Sequence, residues 1–319
     1  MFAPALDDGD TMISELSAQE LLERVAAQMR MDAAQEQTIR FIVCDLDQYL
    51  RWLACREKTV VEADEQDLAA YIQHLLSDVH ELRPRCNGHY SESTTRRKIS
   101  SVRKLHTMLQ TWGWLARNPA SHLRVPTNRS GAPRKVKFLP LDIIRKLLAA
   151  PDVCKPIGIR DRAILVFMAL HGLRVSEVRQ LNVADVNLEA GTVQALGRSG
   201  KPRAVFLTDP TCKVVGAWLA TRRLMQVDDP ALFITLHWTS GRAEPGQWIS
   251  TRGLRQLVDA YMETIGVKWP GVSCQALRNT CTVLSLEAGD SLSAISEAIG
   301  NNLASTRALA RLAEMVLNA

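Results

Sequence analysis

Apolar residues recur every three or four positions in three segments of the first third of the chain, a spacing that places them on one face of a helix. The segments span residues 37–54, 64–76 and 93–112. The second segment opens with acidic residues and the third with the Ser/Thr-rich run SESTT, and both suit a helix N-terminus. The pattern therefore predicts a small helical bundle.

The third predicted helix carries a basic outer face, made of Arg96, Arg97, Lys98, Arg103 and Lys104. Such a run is either an ordinary solvated surface or a set of contacts to nucleic-acid phosphates. Arg and Lys side chains beside Ser and Thr hydroxyls suit the second interpretation. Both interpretations are open at this point.

From residue 139 onwards the pattern predicts a second domain in which helices surround a short sheet. Helices are expected over 142–150, 158–170 and 173–181, and the second is apolar on all sides, so it should be buried. Residues 184–207 alternate with period two around the turns EAG and GRSGKPR, which predicts a small antiparallel sheet. Further helices are expected over 209–225, over 251–266 and in the closing stretch, residues 273–310.

A stretch rich in proline and in basic residues separates the two patterned regions. Proline and glycine break helix and strand there, while arginine and lysine keep the segment soluble. We interpret residues 124–138 as an interdomain linker, either a plain connector or the basic link of a clamp around a duplex. The predicted organisation is an acidic N-terminal arm (1–31), a helical domain (32–123), this linker, and a second domain (139–319).

Charge is distributed unevenly along the 319 residues, whose net charge is +5. The first 30 residues hold six acidic and two basic residues, so the remainder holds 37 basic against 28 acidic residues, a difference of +9. An excess of positive charge in the body of a protein fits a polyanionic partner, although many solvated enzymes show as much.

The sequence argues against a membrane protein, a secreted protein and a zinc-binding protein. No apolar run approaches the roughly 18 residues of a membrane helix, and the start does not resemble a signal peptide, so we expect a cytoplasmic protein without a membrane partner. The seven cysteines lack C-x-x-C spacing, so we expect reduced thiols and no structural zinc or other metal.

Two stretches of sequence resemble a known family. The first is HGLRVSEVRQLNVADVNLEAGTVQALGRSGKPRAVFLT, and the second is TTRRKISSVRKLHTMLQTWGWLARNPASHL. They are similar to the first motif box with its following sheet, and to the N-terminal core-binding domain, of the tyrosine recombinases, also called phage integrases or Xer-like recombinases. The resemblance implies a mainly α fold with a small antiparallel sheet: a SAM-like helical domain and a catalytic-type domain that form a C-shaped clamp on double-stranded DNA.

The family cuts DNA with a Tyr nucleophile, two Arg, a Lys and two His, without a metal or any other cofactor. Its two Arg fall on Arg174 and Arg278, and its acid that orients the site falls on Glu177. Its Lys falls on Arg198, while Lys201 is three residues away and could reach the same phosphate.

The remaining positions of the family pattern depart from it. Gln275 occupies the first His position, Asn301 the second, and Ala310 the position of the Tyr. No Tyr follows Tyr261 and no His follows His237. Three guanidiniums and two amides can still bind a phosphate, but the nucleophile and every ordinary proton donor are absent.

The sequence therefore predicts a DNA-binding and catalytically inactive homologue, located with the nucleoid, that serves as an accessory, architectural or regulatory subunit in site-specific recombination or in transposition or integration of a mobile element. Its partners would be duplex DNA and an active tyrosine recombinase or copies of itself, contacted through the closing helix 306–319. One alternative is an active recombinase with an unorthodox nucleophile among Cys281, Ser305 and Thr306. The other is a helical protein-interaction module that no longer binds DNA.

Overall fold

The computed structural model describes the chain in segments and divides it into two compact units, Met1–Gly131 and Ala132–Ala319. The described residues are 17–77, 90–123, 138–197, 200–236, 246–268, 272–301, 303–307 and 309–310. The predicted linker residues 124–137 lie outside this part of the chain. Each unit has its own apolar core.

The first unit is a bundle of helices, namely α1 (Ala18–Met31), α2 (Glu36–Ala54), α3 (Glu65–Leu76) and α4 (Glu92–Thr111). The side chains of Ser17, Asp64 and Ser91 accept hydrogen bonds from first-turn backbone N–H groups and so fix three of the helix starts. Tyr49 and Trp52 of α2 are fully buried between the helices. The helices α2, α3 and α4 begin and end within one residue of the predicted bounds.

Helix α1 differs from the expectation of an acidic arm over residues 1–31. Leu21, Val25 and Met29 recur every four residues and are buried in the core of the bundle. The acidic residues misled the interpretation because they lie on the opposite, exposed side, where Glu20 also completes a capping box with Ser17. Residues 1–16 of the predicted arm lie outside the described residues.

The second unit places helices on both sides of a short sheet in chain order. Its elements are α5 (Leu141–Ala149), α6 (Pro156–Ala169), α7 (Val175–Gln180), β1 (Val186–Asn187), β2 (Thr192–Leu196), β3 (Pro202–Phe206), α8 (Asp209–Leu224), α9 (Thr251–Thr264), α10 (Cys274–Glu287) and α11 (Leu292–Ile299). Helix α6 is buried along most of its length, as its all-round apolar pattern predicts.

The three strands form an antiparallel sheet in the order β1-β2-β3, with Val193 opposite Val205 and Ala195 opposite Arg203. Because side chains alternate along a strand, Arg203 points to the same side of the sheet as the buried Val205. Strand β3 begins at Pro202, two residues before the predicted strand. The prediction of a mainly α fold with a small antiparallel sheet is confirmed.

Candidate functional site

The centre of the second unit holds a buried carboxylate that is surrounded by arginines. Glu177 of α7 has a side chain only 2% exposed. Arg174, at the N-terminus of the same helix, donates from Nη1 to Oε1 at 2.7 Å and from its backbone N–H to Oε2 at 2.8 Å. Arg203 of β3 donates from Nη1 and Nη2 to the two oxygens at 2.9 and 3.0 Å. The Nη1 of Arg278 lies 3.8 Å from Oε2.

Asn301 connects two of these arginines. Its Oδ1 accepts hydrogen bonds from Nη2 of Arg174 at 3.0 Å and from Nη2 of Arg278 at 2.7 Å. Arg174 also donates to the carbonyl of Gly300 at 2.9 Å, and Arg278 to the carbonyl of Ile299 at 2.6 Å. We call Arg174, Arg203, Arg278 and Asn301 around Glu177 the Glu177 cluster.

Gly300 allows the chain to pass this close to the arginines. It ends α11 in the left-handed conformation, with φ of 70°. A Cβ at this position would lie 3.1 Å from Cζ of the Arg203 guanidinium, and Arg203 also donates to the carbonyl of Ala298 at 3.2 Å. A side chain at residue 300 would therefore displace both the end of α11 and the cation beneath it.

The charges of the Glu177 cluster do not cancel. Burial raises the pKa of the Glu177 carboxyl, but hydrogen bonds and charge from Arg203 and Arg174 outweigh it, so the pKa lies below its usual value. Burial, followed by the charge of Arg174, lowers the pKa of Arg278 to about 9, which leaves this guanidinium protonated at neutral pH. Three cations and one anion leave an excess of two positive charges in the cluster.

A cleft of about 430 Å³ opens beside these charges. Arg174, Arg278 and Asn301 line it together with Gln275, Ser176 and Ser273. Of the two cluster arginines at the cleft, Arg174 is the more accessible, with a side chain 26% exposed against 3% for Arg278. The exposed Arg255 and the carboxylate of Asp259 also line the cleft. The cleft therefore offers several cationic, amide and hydroxyl groups to an anion, beside one acidic group.

The other positions of the predicted site are not members of the Glu177 cluster. Ala310, predicted to occupy the position of the family's nucleophile, is buried. Lys201 is exposed just before β3. Arg198 lies outside the described residues, so its assignment to the Lys position stays a prediction. Gln275 is exposed at the start of α10, where its Nε2 donates to Oδ1 of Asn279 at 3.1 Å.

The basic face of α4 is less uniform than the sequence suggests. Arg96 pairs with Glu92 at 2.5 Å, Arg103 is exposed and Lys104 is partly exposed. Lys98 is buried, and its ammonium donates to Oδ1 of Asp45 at 3.0 Å and to Oε1 of Gln48 at 2.6 Å. The structure therefore removes Lys98 from the cations that face solvent.

Lys98 and Arg97 share a buried acidic partner in the first unit. The two oxygens of Asp45, which is 1% exposed, accept hydrogen bonds from Lys98, Arg97 and Ser101, the last at 3.0 Å. We call Asp45, Gln48, Arg97, Lys98 and Ser101 the Asp45 cluster.

Arg203 and Asp45 are the participants that sequence reasoning missed. Arg203 was placed in a turn, but extending the alternation of AVFLT back by two residues puts it on the side of Val205. Asp45 lies in the apolar stripe of α2, where an acidic residue between buried positions signals a buried cation. In both cases the sequence signal is a polar residue at a position that the apolar pattern turns inward.

Comparison with known proteins defines the class to which this fold and site belong. Residues 137–313 match the phage integrase family, and residues 30–112 match the phage integrase N-terminal SAM-like domain. The chain belongs to the phage integrase family, that is, to the tyrosine recombinases, which are enzymes of site-specific DNA recombination.

Individual relatives agree with this assignment. Tyrosine recombinase XerC of Thermodesulfovibrio yellowstonii is 31% identical over 222 residues, which are 68% of this chain and 70% of the relative. Tyrosine recombinase XerD of Lacticaseibacillus casei is 26% identical over 265 residues, which are 82% of this chain and 83% of the relative.

Solved structures share the fold at lower identity. The XerH site-specific recombinase in its post-cleavage complex with palindromic difH substrate has a TM-score of 0.69 at 19% identity, over 95% of this chain and 84% of that one. A lambda integrase dimer bound to a COC' core site has a TM-score of 0.66 at 11% identity, over 92% of this chain and 77% of that one.

In the described part of the chain, none of the helices is both long and apolar enough to cross a membrane. Within the same residues, no group of three or more His, Cys, Asp or Glu side chains could hold a metal ion.

Proposed function

We propose that this chain binds duplex DNA as a non-cutting tyrosine-recombinase homologue, and that it acts as an accessory or regulatory subunit in site-specific recombination or in the movement of a mobile element. The observation that carries the proposal is that the chain has both the Glu177 cluster and an alanine at residue 310. The cluster presents an excess of positive charge to a cleft, while residue 310, where the family resemblance predicts the nucleophile, is an alanine.

The four tyrosines of the chain support the non-cutting part of the proposal. The hydroxyl of Tyr261 donates to Oδ2 of Asp161 at 3.0 Å, and Tyr90 is hydrogen-bonded to Gln48. Tyr49 and Tyr71 are buried in the first unit. None of the four is among the residues that line the cleft beside the Glu177 cluster.

Cys281 is a poor alternative nucleophile. Its thiol is 6% exposed and donates to the carbonyl of Leu170 at 3.2 Å. Burial raises the pKa of the thiol to about 11, so the reactive thiolate is scarce at neutral pH. Thr306 is fully buried, whereas Ser305 is exposed, and no His or Lys follows Arg278 in the sequence to activate it.

DNA binding is the part of the proposal that the family itself favours. The relatives are recombinases, and solved structures of this fold hold DNA substrates. A partner recombinase, or further copies of this chain, would be contacted through the closing helix 306–319. Residues 311–319 of that helix lie outside the described residues, so this contact stays a prediction.

The test combines a gel shift with a trapping experiment. The full chain is first incubated with a randomised duplex pool in 50 to 200 mM salt, and we expect affinity to fall by about tenfold or more across that range. Bound sequences are then rebuilt with a single nick, so that a cut strand cannot be resealed. We expect no protein-DNA band that survives SDS. A resistant band would refute the non-cutting part, whereas absence of any gel shift would refute DNA binding.

A further inference from the structure

On the first unit, a partly exposed arginine is held against a buried carboxylate. The side chain of Arg97 is 45% exposed, and its Nη1 donates to Oδ2 of Asp45, whose side chain is 2% exposed. Lys98, with a side chain 5% exposed, already supplies one positive charge to the same carboxylate. The Asp45 cluster therefore carries one excess positive charge, and Arg97 displays it.

Fixing a guanidinium in this way reduces the entropy lost on binding. A free arginine loses rotamer freedom when it contacts a ligand, but one nitrogen of Arg97 is already bonded and the rest of the planar fork remains available. The carbonyl of Arg97 also accepts from Ser101, whose hydroxyl contacts Asp45 as well. The side chain of Arg97 is thus bonded to the buried carboxylate directly, while the Ser101 hydroxyl lies within hydrogen-bond distance of both the carboxylate and the Arg97 carbonyl.

An exposed aromatic ring stands beside this cation. Phe41 of α2 is 53% exposed, and Cζ of Arg97 lies 5.8 Å from the centre of its ring. Phe41 precedes Asp45 by one helical turn, so the ring and the carboxylate lie on the same face of α2. A ligand that covers this ring would remove apolar surface from water, which favours binding.

A phosphate contact needs only a cation, and the exposed Arg103 or Lys104 can supply that. A guanidinium of fixed orientation beside an apolar ring suits the edges of bases instead. In the major groove, an arginine fork matches O6 and N7 of guanine, and an apolar side chain contacts the methyl group of thymine. The groove is wide enough to admit a helix such as α4.

We propose that Arg97, held by Asp45 and flanked by Phe41, reads a guanine next to a thymine in the major groove of the bound duplex. This inference rests on the proposed DNA-binding function and adds to it a residue pair that sets sequence preference. Asp45 acts as a positioning residue because it touches the DNA only through Arg97.

The experiment selects preferred sequences from a pool of duplexes with a randomised centre, using the full chain and four variants. Arg97→Lys keeps the charge and removes the fork, so we expect binding of the pool to persist while the preference for guanine at one position falls about tenfold or more. Phe41→Ala should lower the preference for thymine at the neighbouring position by about fivefold. Asp45→Asn leaves every donor of Arg97 in place but removes the negative charge that holds this side chain. It should therefore weaken the guanine preference.

Arg103→Ala is the matched control, since it removes one exposed cation of the same helix without touching Asp45. It should lower affinity for all sequences alike and leave the selected motif unchanged. Because Phe41 is exposed, Phe41→Ala should fold as the native chain does, and thermal unfolding checks this for every variant.

Each outcome decides the inference. If Arg97→Lys and Phe41→Ala select the same motif as the native chain, or if the native chain binds the pool without preference, the pair does not read bases although DNA binding stands. If the native chain binds no duplex at all, the proposed function fails and this inference fails with it. Binding of an acidic protein in place of DNA would have the same meaning.

Discussion

Each unit buries one carboxylate among cations, but the two arrangements differ. In the first unit, Asp45 lies buried against two cations, one of them enclosed and the other partly exposed. In the second unit, Glu177 lies buried against three arginines, of which Arg174 borders a cleft. The first arrangement displays a single fixed cation on a surface, and the second gathers several cations around one place. A buried carboxylate can therefore either hold one cation at an exposed surface or gather several cations beside a cleft.

The largest expected effect follows from removing the acid at the centre of the Glu177 cluster. In Glu177→Gln, three arginines lose their shared anion, two of them with side chains 14% exposed or less. We expect the free energy of unfolding of the second unit to fall by about 3 to 5 kcal/mol. Hydrogen exchange of peptides from each unit, measured in the same molecule, reports this change. Glu189→Gln, at an exposed position, is the control and should change neither unit.

Asp45→Asn should have a smaller effect, confined to the first unit. Arg97 can be solvated where it stands, so only Lys98 is left as a buried cation without its anion. We expect a loss of about 2 to 3 kcal/mol, the size of a hydrogen bond to a charged group. A loss larger than that of Glu177→Gln in the same exchange measurement would contradict the ranking of the two clusters.

Both units should respond alike to acid, because each contains a histidine withdrawn from water, fully for His106 and partly for His171. Burial lowers the pKa of His106 in the first unit and of His171 in the second to about 4. The unfolded chain binds a proton at each position below a pH of about 6.5, whereas the folded chain stays neutral until about pH 4. Stability is therefore complete above pH 6.5 and decreases as the pH falls towards 4.

Between pH 7 and pH 5 we expect each histidine to lower stability by about 2 kcal/mol. Urea unfolding at the two pH values measures this, and His106→Gln should remove the contribution of the first unit. Equal pH dependence of the native chain and His106→Gln would contradict the assignment.

The smallest change in free energy is expected from substituting Arg174, the accessible arginine of the Glu177 cluster. Arg174→Gln should weaken duplex binding about tenfold in low salt and reduce the slope of log affinity against log salt by about 1, since one phosphate contact is lost. Arg203→Gln is the informative comparison. Its side chain is 14% exposed and bonded to Glu177 and Ala298, so it should affect stability more than the salt slope. Equal salt slopes for the native chain and Arg174→Gln would place the phosphate elsewhere.

The fold could be predicted from sequence to a large extent, because apolar spacing fixes which faces of helices and strands are buried. The order of helices and the three-stranded sheet follow from it. The errors occurred where charge was allowed to override spacing. Residues 18–31 contain acids, yet their apolar positions recur every four residues. Lys98 is basic, yet it lies on the buried side of α4 between Thr95 and Val102.

The candidate site was predicted only in part, and the missing part has a physical reason. Arg174, Arg278 and Asn301 were identified by their spacing relative to the family, and the structure brings them together. Arg203 joins them from β3 because the strand register turns it inward. The alternation of AVFLT shows which side residue 203 would take, but not that the strand extends back to Pro202 by pairing with β2 across the turn. Which carboxylate a given cation reaches is likewise a property of the packed fold.

The Glu177 cluster also bears on how such a protein changes over evolutionary time. Because the second unit folds around Glu177, each arginine that contacts this carboxylate contributes to stability whether or not the chain performs chemistry. Purifying selection on folding alone is then enough to retain Arg174, Arg203 and Arg278, independently of any selection on catalysis. Ala310 makes no contact of this kind with Glu177, so the composition of the anion pocket and the identity of residue 310 can change separately.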